Sequence, residues 1–320
     1  MENNKKPFKT YDELLDIMKS KNLIISNEKE SKTFLELYGY YNVVNGYKFP
    51  FICRTDTAKE EFIENTTFEH IASLYMFDSY VKQFTLPVLI SIESIIKANI
   101  AHVFAEEYGE GAYLDINNFN TYNPKSEQKT NSLIIMLTNT ISNCEKNSDK
   151  RYDCIRHNMN KYNYVPIWVL FTVLQVGSIE KFYDCLKPTL KNKIVTKLNN
   201  LFSTNYTITD FKIYMKALVY FRNLCAHDMR LLNIPLRYPL NNTNHILINL
   251  SNKNPKGLDL LLIMIYEFLS KNDFINYANI ISHGYKKYIN SLPSKQRELA
   301  INHLSLTPNI IRELAVLKTK

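Results

Sequence analysis

Apolar residues recur at three- and four-residue spacing along much of the chain. The clearest run is Leu74, Phe77, Val81, Phe84, Val88, Ile92, Ile95, Ile96 and Val103, with Asn99 on the same spacing. It predicts a long helical region over 68–108, in which Pro87 marks a kink or a break. Similar patterning predicts helices over 11–20, 32–38, 127–145, 166–187 and 257–271, with one or two weaker ones after that. A further helix should start at Thr207-Ile208-Thr209-Asp210, a capping-box-like signature, and run to about Leu232 before Pro235 and Pro239. Gly39, Asn45, Gly46 and Pro50 punctuate an aromatic turn, and 109–122 reads as loop. Segments 146–164 and 240–256 are rich in Asn and Lys, lack periodic apolar positions, and are expected to move.

Composition agrees with this pattern. Of 320 residues 45% are apolar, with only 7 Gly and 11 Pro. That favours an all-α bundle over a sandwich or a nucleotide-binding sheet. The expected division is an N-terminal helical and aromatic-turn lobe (1–65), a central bundle (66–240) and a C-terminal helical extension (241–320). The longest apolar runs, Val165 to Val176 and Leu260 to Tyr266, are too short to span a bilayer and read as buried core helices. Five cysteines without a CxxC pair argue against a disulfide framework or a structural zinc, so a reducing cytoplasm is the expected compartment. The formal charge of +8 suits an anionic partner such as RNA.

The candidate chemistry lies on the helix that starts near Thr207. On a helical wheel Phe211, Met215, Leu218, Arg222, Cys225 and Met229 fall on one stripe, so Arg222 stands among apolar neighbours. A guanidinium there needs a carboxylate, an anion or a cleft. Lys212, Lys216, Asn223 and Arg230 form a second stripe with His227 at its edge. By periodicity alone, a salt-bridged Arg and an ordinary surface His are the plain alternative. Glu93 sits in an apolar helix and needs a cation; Arg222, or Lys97 four residues on, could provide it. The aromatic turn could stack bases, although such clusters more often form a small core. The other histidines show no metal-ligand spacing, and no Gly-rich phosphate loop or carboxylate pair supports nucleotide transfer.

Residues 221–233 read FRNLCAHDMRLLN. Arg222 to His227, with Asn223 after the Arg, resembles the Arg…His motif of HEPN-domain ribonucleases. Other segments resemble the Abi-like abortive-infection family in the same order: Tyr38-Gly39-Tyr40-Tyr41 through Gly46-Tyr47 to Pro50-Phe51; Ile92-Glu93 with Lys97; Tyr108-Gly109 to Tyr113-Leu114; and Val165-Pro166-Ile167-Trp168 through Gly177. The family often has Arg where this chain has Lys97, so no bidentate guanidinium is available at that position. The resemblance implies a HEPN-type helical bundle and a toxin-like endoribonuclease that needs no metal or other cofactor. In such an enzyme the RNA's own 2′-OH attacks the adjacent phosphorus. Arg222, Asn223 and His227 would be catalytic, Lys212, Lys216 and Arg230 would hold RNA, and Glu93 and Lys97 would support them. Arg222 and His227 lie about 140° apart around an ideal helix, and HEPN nucleases usually pair, so the resemblance implies a homodimer with a composite site. It also implies a restraining partner, a protein or a small non-coding RNA. The alternative is an RNA-binding HEPN scaffold that holds a small non-coding RNA or senses phage without cutting.

Overall fold

The long apolar run becomes one helix that organises everything else. The computed structural model describes residues 7–54, 60–232, 257–304 and 309–319. Among them are fourteen α-helices. The first three are α1 (Tyr11–Lys19), α2 (Glu28–Tyr38) and α3 (Tyr40–Tyr47). A 3-10 turn (Phe49–Phe51) leads into a small antiparallel hairpin, β1 (Ile52–Arg54) with β2 (Glu60–Phe62), in which Ile52 faces Phe62. Helix α4 (Phe68–Tyr108) follows. At 41 residues it is about 60 Å long. Then come α5 (Pro124–Lys146), α6 (Asp153–Tyr162), α7 (Ile167–Val173), α8 (Val176–Cys185), α9 (Pro188–Phe202) and α10 (Ile208–Ala226). The C-terminal part contains α11 (Gly257–Phe268), α12 (Lys271–Tyr288), α13 (Ser294–Leu304) and α14 (Ile310–Thr319). The protein is all-α apart from the hairpin.

Helices α3, α7, α9, α10 and α12 pack along α4, so elements from all three expected parts share one hub. By length and composition α4 could cross a membrane, the one such helix among the described residues. Its central charged residues, Asp78 with Lys82 and Glu93 with Lys97, form ion pairs in which both acids are buried, as in a core helix. The packing is aromatic-rich: Phe182 of α8 meets Phe104, Phe119 and Phe171 at centroid distances of 5.3, 5.4 and 5.1 Å. Each such fully buried ring contributes on the order of 1.5–3 kcal/mol.

The structure differs from the local reading at several points. Pro87 does not break α4. It sits on the exposed face, where its ring meets solvent and neighbouring turns hold the helix together. The aromatic turn is largely helix: Gly39, at φ +78°, separates α2 from α3, and α3 continues through Gly46. Val43, Val44 and Tyr47 are buried there, whereas Tyr41 is exposed. Segment 146–164 contains α6, fastened by buried Ile155. The single helix expected over 166–187 is two, because Leu174 and Gln175 are extended. Pro188 begins α9 at a first-turn position rather than merely closing its predecessor. Three helices, not one or two, follow α11. Segment 240–256 lies outside the described residues.

Candidate functional site

Helix α10 starts as its sequence dictates. Thr207 Oγ1 accepts the Asp210 N–H at 3.2 Å, and the Thr207 N–H donates to Asp210 Oδ2 at 2.9 Å. It ends earlier than its sequence suggests. His227 is the C-cap, its N–H donating to the Asn223 carbonyl at 3.0 Å. Asp228 follows at φ +50°. The chain then turns onto α4, where Asp78 Oδ1 accepts the Leu231 and Leu232 N–H groups at 2.9 and 2.7 Å. Asp78 is fully buried and ion-paired to Lys82 at 2.9 Å, and Lys82 also reaches Asp228. Burial works against the Lys82 ammonium, but the Asp78 and Asp228 carboxylates hold its pKa above the ordinary lysine value. Pairs from Arg222 with Glu93 to Leu232 with Asp78 make α10 antiparallel to α4.

Arg222 is half-buried, with Nε 3.3 Å from Glu93 Oε2, an ion-pair distance without hydrogen-bond geometry. Glu93 also meets Lys97, Nζ to Oε1 at 2.7 Å. Lys97 donates as well to the Leu174 carbonyl at 2.6 Å. That carbonyl is free because the chain is extended between α7 and α8. Glu93 thus serves both of its possible partners at once, and Lys97 joins α4 to the α7–α8 break. Asn223 is half-buried beside Arg222.

His227 is exposed and helps wall a cleft of about 500 Å³. Tyr41, Tyr47 and Tyr75 form its aromatic side; Arg230 contributes a cation, and Lys82 joins it as an ion pair with Asp228 on the same wall. Arg230 donates to the Gly46 carbonyl at 2.9 Å, and its Cδ would lie 3.4 Å from a Cβ at that glycine. The small residue at 46 therefore gives Arg230 its seat. Burial and then Asp78 push the Cys225 thiol up to about 12, which makes it a packing group rather than a nucleophile.

The structure brings together some of the expected residues and separates others. Arg222, Glu93 and Lys97 form one cluster, while His227 and Arg230 share another. Arg222 does not wall the His227 cleft. Arg230 and Met229 lie beyond the end of α10, so the wheel does not apply to them; Met229 is 45% exposed rather than part of an apolar stripe. Lys216 is exposed mid-helix. Lys212 is near the far end of α10, ion-paired to Asp184. Asp78, Lys82, Asp228 and Tyr75 were not singled out from the sequence. The acid–lysine spacing that drew notice at Glu93 and Lys97 recurs at Asp78 and Lys82 and could have marked them. Among the described residues no group of three or more His, Cys, Asp or Glu comes together as a metal site.

The helical bundle thus carries an Arg, an Asn and a His on the last two turns of one helix, with a tyrosine-walled cleft at that helix's end. The chain belongs to the Abi-like protein family, whose model matches residues 33–233. The match runs from α2 to just beyond α10, so it takes in both clusters and leaves α11 to α14 outside. Membership points to a role in abortive infection, a defence against phage. No curated protein and no solved structure gives a significant match.

Proposed function

We propose that the protein is a HEPN-type endoribonuclease of abortive infection, cutting RNA by attack of the 2′-OH on the neighbouring phosphorus. The observation that carries this reading is the placement of His227: exposed at the end of α10, on a cleft walled by tyrosines, Arg230 and the Lys82–Asp228 ion pair. The imidazole takes or returns the proton at the 2′-oxygen or the leaving 5′-oxygen. Arg222 faces the non-bridging phosphate oxygens as negative charge builds there. The Glu93 carboxylate, itself paired to Lys97, keeps a counter-charge beside Arg222 before substrate arrives. Tyr41 and Tyr75 offer faces for unpaired bases, and Arg230 holds the backbone. The products are a 2′,3′-cyclic phosphate and a 5′-OH.

Arg222 and His227 do not wall the same cleft in one chain. A second copy supplies the missing group, so each site takes its Arg from one protomer and its His from the partner. Ile90, one turn before Glu93 on α4, is 44% exposed, and Trp168 on α7 is 52% exposed; a second copy would cover such apolar surface. A small non-coding RNA or a protein would restrain the dimer until infection. The test is cleavage of total RNA by the purified protein in EDTA. His227→Ala should lower the rate by about 10²–10⁴-fold. Mixing His227→Ala with Arg222→Ala protein should restore about a quarter of the activity, since half the dimers are mixed and each holds one intact site. Tight RNA binding without cleavage by the unaltered protein would instead establish a binding scaffold.

A further inference from the structure

A second polar cavity lies at the opposite end of α10 from His227. The loop before α5 is tied to the end of α8, the Asn120 N–H donating to the Cys185 carbonyl at 2.8 Å. Helices α5, α9 and α10 then send Lys125 and Lys129, Lys191, and Lys212 toward one space of about 260 Å³. One acid side chain, Asp184, shares that wall with the four lysines. It pairs with Lys129 at 3.2 Å and with Lys212. Lys191 reaches only the Asp184 backbone carbonyl, at 2.7 Å, and lies over the Tyr183 ring. Four ammoniums therefore share one carboxylate, which leaves a strong positive excess in a partly enclosed space. Burial pushes the Lys191 amine below the usual lysine value; Asp184 opposes that, while Lys212 and Lys129 add to it. An anion entering the cavity would remove this strain.

The same wall continues into a cleft of about 500 Å³ that shares Lys125, Lys129 and Asp184. Leu133 and Met136 give this cleft a mainly apolar lining, with Glu180 and Lys181 also on its wall. A cationic basket opening directly onto an apolar slot matches a ligand with phosphates at one end and a flat, weakly polar ring at the other. The combined volume falls in the range of small-molecule pockets and suits one nucleotide rather than a strand. We propose that this lysine basket and its apolar annex form a binding site for a free nucleotide, with the phosphates among Lys125, Lys129, Lys191 and Lys212 and the base over Leu133 and Met136. Lys212 and His227 are fifteen residues apart on α10, so the site lies about 22 Å from the proposed cleavage centre and does not depend on it. No Gly-rich loop is involved; lysine side chains take the place of backbone amides.

The test is a titration of the full-length protein with a fluorescent ATP analogue, displaced by ATP, by pyrophosphate or by a short single-stranded RNA. Saturable binding that ATP displaces is expected. The double variant Lys125→Glu/Lys129→Glu should weaken it about tenfold or more, because two cations become anions beside the phosphates. Met136→Glu should weaken ATP while leaving pyrophosphate little changed. If the charge-reversed double variant unfolds, Lys125→Gln/Lys129→Gln replaces it, again with weaker binding expected. The proposal fails if ATP does not displace the analogue, if the lysine variants bind as the unaltered protein does, or if only RNA competes.

Discussion

Helix α4 carries one motif twice, an acid followed four residues later by a lysine. At Asp78 and Lys82 the acid is completely buried, and its second task is to accept two backbone N–H groups from the chain leaving α10. At Glu93 and Lys97 the acid is slightly more open, and its second task is to steer the Arg222 guanidinium, itself 27% exposed. The second pair meets α10 and the first meets the chain just beyond its end, the two about 22 Å apart along α4. Their roles differ because of the third group each one meets. A backbone amide needs satisfaction and offers no chemistry, so the first pair is a fastener. A guanidinium with an open side can act on something else, so the second is a support for a site.

Replacement of the first acid should give the largest effect on stability. Asp78→Ala leaves Lys82 with the exposed Asp228 and the Met229 carbonyl, at 3.4 Å, and strips the acceptor from two buried N–H groups. The expected loss is about 3–5 kcal/mol in urea unfolding. A loss below about 1 kcal/mol would mean that Asp78 is no fastener.

Glu93→Gln should do the reverse. It keeps the shape and one acceptor but removes the charge that aims Arg222. Unfolding should move by only about 1 kcal/mol, while RNA cleavage falls by about tenfold or more in kcat with KM nearly unchanged. A drop in stability matching that of Asp78→Ala, with kcat intact, would make the two pairs equivalent and erase the distinction.

Local rules made some of this visible and hid the rest. The periodicity of α4, the Thr207–Asp210 start of α10 and the isolation of Glu93 and Arg222 in apolar surroundings were all legible, since each depends on residues within a turn or two. The end of α10 was not. No Gly or Pro stands between Ala226 and Leu232, and the helix stops because Asp78, more than 140 residues away in sequence, takes the Leu231 and Leu232 amides. The break at Leu174 is hidden for the same reason: a carbonyl released there is answered by Lys97. The composition of 146–164 suggested mobility, yet Ile155 suffices to seat α6. The separation of Arg222 from the His227 cleft follows from these long-range events, which a helical wheel cannot represent.

Acidification probes a third polar position on α4. His70 Nδ1 accepts the Thr67 N–H at 3.1 Å, closing the helix's N-terminal cap. Burial holds its pKa below the ordinary histidine value, with Glu69 opposing. Burial and then Arg230 do the same to His303. The folded state thus disfavours the charged form of both. Their contribution is intact above about pH 6.5, the unfolded value, and is lost as pH falls through the lower folded values. A protonated Nδ1 also cannot accept the Thr67 N–H, which costs about 1 kcal/mol of cap. The thermal midpoint should fall as pH drops below about 6.5. His70→Gln, which can still accept at that position of a capping box, should flatten the slope. An unchanged slope would remove His70 from the account.

Lys97→Arg should have the smallest effect. The Lys97 ammonium has two acceptors, Glu93 Oε1 and the Leu174 carbonyl. A guanidinium has enough donors for both and could grip Glu93 with two. If the pair acts on Arg222 as a point charge, the exchange should change cleavage by less than about twofold and stability by less than about 0.5 kcal/mol. Lys97→Met, by contrast, should lower both, because the Leu174 carbonyl and half of Glu93 lose their donor. A tenfold loss from Lys97→Arg would show that the support depends on shape as well as charge. The Glu93 pair would then be as tightly fitted as the Asp78 pair, and the greater openness of its surroundings would no longer explain its different role.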